Sequence, residues 1–209
     1  MRRLIFHSGT ISVLALALNA CSVLPDPAPA DTIYRLSPLT ESVQAAQTAT
    51  VIRVDRPVAS VVFQSRDIVV SPDGLRLASA AQAKWIETMP SLIQSAFVDV
   101  LATRPNLVGV IPASGARTNQ RVQLTIKNFE AQFDNGTDAA PLAVIRYSVT
   151  YANSSNRALL GTYDVKAVKR AKSTNVANIV EAISIANNEA LMDVAKWVES
   201  QAATPKPKS

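Results

Sequence analysis

The chain contains one thiol and one imidazole, the two side chains that often act as nucleophile, general base or zinc ligand. The thiol belongs to Cys21 and the imidazole to His7, both near the start of a 209-residue chain. A single cysteine cannot close a disulfide within its own chain. The chemistry open to this protein therefore depends on the fate of its N-terminal segment.

The N-terminal segment has the three parts of a secretory signal peptide. Two arginines precede a mostly apolar run, residues 4–18, and Ala20 stands before Cys21. The apolar run is shorter than the roughly 20 residues that a membrane-spanning helix needs. We therefore predict a signal peptide over residues 1–20, cleaved between Ala20 and Cys21. The alternatives are an ordinary signal in which the cysteine occurs by chance, and an uncleaved anchor.

The sequence Leu18-Asn19-Ala20-Cys21 resembles the bacterial lipobox, although Asn19 stands where a small or hydroxyl residue is commoner. The resemblance implies a diacylglycerol on the Cys21 sulfur, cleavage before this cysteine, and acylation of its new amino group. Two or more acyl chains hold a protein firmly at a membrane, whereas one holds it only marginally. We predict this covalent lipid and no cofactor. Ser22, in place of an aspartate, is compatible with passage of such a lipoprotein to the outer membrane.

A proline-rich segment follows the cysteine. Residues 22–31 read SVLPDPAPAD, with Pro25, Pro27 and Pro29 at alternate positions. Proline-rich linkers are extended, at about 3.1 Å per residue, and act as stiff spacers. We predict that residues 21–31, the lipidated cysteine and its tether, hold a periplasmic domain away from a membrane surface.

Without the signal peptide the chain has no histidine, and with Cys21 lipidated it has no free thiol. A Ser-His-Asp or Cys-His nucleophile system needs the imidazole, and zinc sites built on His or Cys need those ligands. The sequence also contains no P-loop and no dinucleotide-binding fingerprint. Carboxylates remain, and we expect them to be solvated in turns or on strand faces: Glu130, Asp134, Asp138 and Asp164. We therefore predict no catalytic residue, no metal site and no enzymatic activity.

The charge balance gives no support for nucleic-acid binding. The formal net charge is +5, and it falls to +3 when Arg2 and Arg3 leave with the signal peptide. This excess is mild and forms no basic stripe along the chain. We expect an ordinary solvated surface.

Alternating and apolar runs predict one domain over residues 32–201, followed by a disordered tail, 202–209. Short strands are predicted first: 32–36, 50–54, 61–63, 67–70 in a hairpin with 75–77, and 107–111. Three longer strands then form an antiparallel meander with one solvent-exposed face. The apolar positions of its first strand change parity at Lys127-Asn128, which predicts a bulge or a bend there.

Two helices are predicted from apolar residues that recur every three or four positions. The first covers residues 85–104, and Pro90 either kinks it or starts a second helix. The other covers 176–201, with Asn187-Asn188 interrupting its apolar stripe. The economical fold is α+β, a mixed, mostly antiparallel sheet with two main helices packed on one face. The two tryptophans lie on the helical stripes and are predicted as core or core-edge residues: Trp85 and Trp197.

Several short motifs occur in a recognisable order after the lipobox. They are Tyr34-Arg35-Leu36, a strand with a valine and proline end at 51–57, residues 63–67 before a turn, Trp85 leading to Pro90 and Leu92, the meander and the closing helix. Their order and spacing resemble the ABC-type transport auxiliary lipoproteins, which include the lipoprotein component of paraquat-inducible transport systems. The resemblance spans nearly the whole chain after the signal peptide. The stretch between the tryptophan and the following leucines is longer than in some relatives.

The resemblance implies a function that the residues alone do not. Such lipoproteins work with transporters that have a mammalian-cell-entry (MCE) substrate-binding subunit, a permease and an ATPase, and that are implicated in moving lipids or other hydrophobic molecules between the two membranes. We expect this chain to dock or scaffold the MCE assembly at the periplasmic face of the outer membrane. Because MCE assemblies are often rings, self-association of this chain is compatible with that role. The alternatives are a lipid-binding carrier and a structural lipoprotein of outer-membrane assembly. The sequence identifies no residue that touches the partner.

Overall fold

The computed structural model describes residues 29–38 and 43–203. The predicted signal peptide, its cleavage site, Cys21 and most of the proline-rich tether lie outside the described residues, as do residues 204–209. The contacts of the chain separate residues 1–30 from the unit Asp31–Ser209. The secondary structure of the described residues belongs to the second unit.

Within the described residues, nine strands form one mixed sheet and two α-helices pack against it, which confirms the predicted α+β fold. The strands are β1 (Thr32–Tyr34), β2 (Thr50–Val54), β3 (Val58–Ala59), β4 (Asp67–Ser71), β5 (Ala78–Trp85), β6 (Leu107–Val110), β7 (Gln120–Gln132), β8 (Leu142–Asn153) and β9 (Leu159–Arg170). The helices are α1 (Met89–Leu101) and α2 (Val176–Ala203), and two short 3-10 helices cover Val61–Phe63 and Pro112–Ser114.

The longest strand, β7, organises the sheet. On one side it pairs antiparallel with β8 along nearly its whole length, and β9 continues this meander. On the other side β2, β3 and β4 pair with successive parts of β7, all parallel to it. The sheet then extends through β6 beside β2, and through β5 and β1 beside β4. The antiparallel ladders are fewer but longer, so most paired residues are antiparallel.

Both helices contribute to one apolar core. Helix α1 packs against β2 and β6, helix α2 packs against the meander, and the two helices contact each other. The largest fully buried side chains include Trp85, Tyr147, Tyr151, Phe97 and Phe129. Burial of apolar surface stabilises a fold by about 25 cal/mol per Å², so these large side chains carry much of the packing energy.

The first helix begins later than predicted. Trp85 is the last residue of β5, and α1 starts at Met89 with Pro90 in its first turn. Proline is tolerated there because the first amides of a helix have no intrahelical acceptor. Of the two alternatives for Pro90, the one in which it starts a helix is therefore correct. The prediction that Trp85 lies on a helix is wrong, although the residue is buried in the core as expected.

Two strand predictions in the first half are also wrong. The second strand of the hairpin is β5 (Ala78–Trp85), beyond the predicted residues 75–77. Its sequence, ASAAQAKW, has little β propensity, but pairing with β4 on one side and β1 on the other holds it extended. The apolar residues Val61–Phe63 form a 3-10 helix in which only Phe63 is buried.

The meander follows the prediction. The register of β7 and β8 shifts between Ile126 and Asn128, which confirms the predicted bulge. The bulge brings Phe129 to the buried side although its parity differs from that of Ile126. A second irregularity, where β8 meets the start of β9, was not predicted. It leaves Leu159 62% exposed, while Leu160 packs against the core.

The last helix is confirmed and is continuous through Asn187-Asn188. It ends at Ala203, slightly beyond the predicted residue 201. Asn187 is fully buried rather than a gap in the stripe, because its side chain has a hydrogen-bond partner on β8.

Candidate functional site

The carboxylates considered for catalysis do not form a catalytic pair. Asp134 forms an ion pair with Arg170, and this guanidinium lowers the pKa of the carboxyl. Asp138 and Asp164 are exposed, as predicted. Within residues 29–38 and 43–203, no three His, Cys, Asp or Glu side chains come together as a metal site would require.

Glu130 departs from the prediction of a solvated carboxylate, because only 2% of it is exposed. One carboxylate oxygen accepts hydrogen bonds from the side-chain amides of Asn128, at 3.1 Å, and Gln132, at 2.7 Å. The other oxygen has no hydrogen-bond partner among the described residues. Two amides from its own strand bind the group, so its contacts are those of a structural side chain rather than of an acid paired with a base.

The aromatic side chains between the sheet and the helices pack against one another. Tyr151 and Tyr163 both contact the indole of Trp197, which stacks on Tyr163 with 5.3 Å between ring centroids. Trp85 meets Phe129 edge to face at 6.0 Å. Burial raises the pKa of Tyr151 to about 12. A lipid-binding carrier would need an apolar cavity between sheet and helices, and on this face the rings pack against one another instead.

A surface groove lies where the ends of β1 and β5 approach helix α1. It encloses about 260 Å³. The α1 residues that line it recur at helical spacing and so share one face: Leu92, Ser95, Ala96 and Asp99. Residues 35–38 form another wall, and Ile86, Glu87 and Asn188 of α2 complete the lining. We call this feature the α1 groove.

Hydrogen bonds fix the wall of the α1 groove formed by residues 35–38. The amide of Ser37 donates to the hydroxyl of Ser184 on α2, at 3.3 Å, and the side-chain amide of Asn188 donates to the Ser37 carbonyl, at 3.4 Å. The amide of Ile86 donates to the carbonyl of Tyr34, at 2.7 Å. The groove is therefore a preformed feature of the fold.

The α1 groove combines an apolar floor with charged edges. Leu36 and Leu92 are buried in the floor, and Ile86 at the edge is 46% exposed. Glu87 and Asp99 have no ion pair or hydrogen bond to a side chain among the described residues, and partial desolvation raises the pKa of Asp99. No motif in the sequence marks Glu87 or Asp99 as a functional residue. The one signal that could have indicated a functional surface was Asp99, a charged residue one helical turn after the apolar Ala96 of α1.

Membrane-spanning segments are not found among the described helices. Even α2, the longest, lacks a stretch apolar enough to cross a bilayer.

Comparison with known proteins identifies a family. The family model for the ABC-type transport auxiliary lipoprotein component matches residues 34–195, which confirms the resemblance drawn from the motifs. No curated protein matches the chain significantly. The match contains the whole α1 groove and most of the sheet.

Solved structures share the fold. Protein XCC0632 from Xanthomonas campestris, a DUF330 protein, is 17% identical with a TM-score of 0.72, over 82% of this chain and 96% of that one. An uncharacterized protein is 10% identical with a TM-score of 0.65, over 81% of this chain and 99% of that one. At these identities the likeness is one of architecture.

Proposed function

Because the chain belongs to the family of ABC-type transport auxiliary lipoprotein components, we propose that it is a lipid-anchored, non-catalytic subunit of an ABC-type transporter that has an MCE substrate-binding subunit. The family match over residues 34–195 is the observation that carries this proposal. The chain contributes a folded docking domain, whereas the permease and the ATPase contribute the membrane pathway and the energy. After the signal peptide the chain has no histidine, and its one cysteine, Cys21, carries the proposed lipid, which agrees with a role in binding rather than catalysis.

The proposed location is the periplasmic face of the outer membrane. Acyl chains on Cys21 anchor the protein, and the proline-rich tether of residues 22–31 spaces the domain from the lipid surface. Ser22, in place of an aspartate, is compatible with this location. In this position the domain receives the MCE assembly that reaches it from the inner membrane.

The proposed cargo is a lipid or another hydrophobic molecule, carried by the transporter and not by this subunit. The aromatic rings between sheet and helices contact one another and α2, so they support a packed core. The chain acts by docking or by shaping the exit path.

Affinity purification of the full-length, lipidated chain from its own cells tests the proposal. We expect mass spectrometry to identify an MCE-domain protein together with its permease and ATPase. Recovery of outer-membrane barrel or cell-wall assembly proteins without any transporter subunit would overturn the proposal and favour a structural lipoprotein. Cells that carry the same tag on an unrelated outer-membrane lipoprotein provide the control.

A further inference from the structure

The α1 groove has the shape and the surface of a site for a protein segment. Its floor is apolar, and Ile86 at its edge keeps 46% of its surface exposed. Extended and helical peptide segments often bind by covering apolar surface in a concave, preformed groove. Hydrogen bonds to α2 already hold the wall of residues 35–38, so a partner has little ordering to impose.

The charge of the groove indicates the chemistry of its partner. The chain as a whole has a net charge of +5, but the groove carries two carboxylates, Glu87 and Asp99, against one guanidinium, that of Arg35. Neither carboxylate has a cationic partner among the described residues, and elsewhere in the unit acids are commonly paired, as Asp67 is with Lys84. Unpaired carboxylates beside an apolar floor favour a partner that brings Lys or Arg next to apolar side chains.

We propose that the α1 groove binds a segment of the transporter's periplasmic subunit that carries apolar side chains and an adjacent Lys or Arg. This inference rests on the proposed function and adds the surface that performs it. The apolar side chains of the segment lie on Leu36, Leu92 and Ile86, and its Lys or Arg pairs with Glu87 or Asp99. The charges select the partner and its register, and the apolar contact supplies most of the affinity.

Photo-crosslinking in cells tests the site directly. The full-length chain receives p-benzoylphenylalanine in place of Ser95, an exposed residue of the groove, or in place of Thr150, an exposed residue on the sheet face away from the helices. We expect the probe at position 95 to crosslink to a transporter subunit, and peptide mapping to place the crosslink in an apolar segment with Lys or Arg. The probe at position 150 serves as the control and gives no such product.

Charge reversal tests the electrostatic part. Asp99→Lys and Glu87→Lys should each lower the yield of that crosslink by roughly tenfold, since like charges then face each other across the contact. Asp164→Lys makes the same change on the outer sheet face and should leave the yield unchanged. Thermal unfolding checks that each variant is folded. We expect all three variants to be folded, because the side chains that they replace are exposed.

The possible outcomes separate this inference from the proposed function. Crosslinks from position 95 only to the chain's own tether, to a second copy or to lipid would overturn the inference, as would a yield that Asp99→Lys and Glu87→Lys do not change. Recovery of the transporter subunits with intact yield in these variants would leave the proposed function standing with another docking surface. If the unmodified chain recovers no transporter subunit, the proposed function itself fails.

Discussion

The phenolic oxygen of Tyr147, on β8, donates a hydrogen bond to Oδ1 of Asn187, on α2, with 2.6 Å between the two oxygens. Both side chains are buried, and this burial raises the pKa of Tyr147 well above its ordinary value. The bond satisfies two polar groups that water cannot reach. The asparagine that interrupts the apolar stripe of α2 therefore links the helix to the sheet.

Replacing Tyr147 with Phe should lower the free energy of unfolding by about 1–3 kcal/mol, because Oδ1 of Asn187 then stays buried without a donor. Urea unfolding of the purified protein measures the change. The double variant Tyr147→Phe, Asn187→Leu removes both polar groups, so it should recover part of the loss. If the double variant lost as much stability as Tyr147→Phe and Asn187→Leu lose separately when added together, the link between the two side chains would be contradicted.

Gly109, on β6, lies close against α1. A Cβ at this position would be 2.9 Å from Cδ1 of Leu101 and 3.3 Å from Cα of Val98, which is backbone. Gly109→Ala should therefore destabilise the fold by about 1–3 kcal/mol, as measured by urea unfolding.

Gly161→Ala is the matched control for Gly109→Ala. Its Cβ would meet the indole edge of Trp197 at 3.1 Å and the side-chain oxygen of Gln201 at 3.2 Å. These side chains are only partly buried and can move, so the cost should be smaller. A larger cost for Gly161→Ala than for Gly109→Ala would contradict this account of the packing.

Asp73, in the turn between β4 and β5, should titrate far below an ordinary carboxyl. Its carboxylate accepts hydrogen bonds from the amides of Arg76 and Leu75 and from the guanidinium of Arg76, and these bonds lower its pKa from 3.8 to about 2. Because the folded-state pKa is depressed, the stabilisation of the turn is present above pH 3.8 and is lost as the pH falls toward 2. An NMR titration should place the midpoint of the carboxyl near 2, and a midpoint near 3.8 would show that these bonds are absent in solution.

The sequence could predict the elements whose patterns are long and regular. The meander has alternating apolar residues, and the parity change at Lys127-Asn128 located its bulge. The stripe of α2 is long enough to locate that helix. These signals depend only on residues near one another in the chain.

The sequence could not predict elements that depend on distant neighbours. Strand β5 is alanine-rich and is held extended by β1 and β4, so nothing in its own residues marks it as a strand. The helical pattern of apolar residues therefore extends back to Trp85, although the helix begins only at Met89. The α1 groove brings together Leu36, Glu87 and Asp99 from three separate segments, and no short motif encodes that meeting.

The lipid anchor on Cys21 remains a prediction from the lipobox. Cys21→Ser should abolish labelling of the chain by radioactive fatty acid, because the acylated sulfur is absent, and should shift the protein from the membrane fraction to a soluble or uncleaved form. Cys21→Ala serves as a second variant that also lacks the thiol. Unchanged labelling and unchanged membrane fractionation in both variants would contradict the anchor.

Reciprocal purification tests whether this lipoprotein is a subunit of an ABC-type transporter. The ATPase recovered with the lipidated chain is itself tagged, the membranes are solubilised in mild detergent, and the chain is quantified in the eluted complex. We expect the chain to co-elute at a constant ratio to the MCE subunit, and this ratio to fall in Asp99→Lys but not in Asp164→Lys. A complex of ATPase, permease and MCE subunit that never contains the chain, although the chain is present in the membranes, would contradict the proposed function.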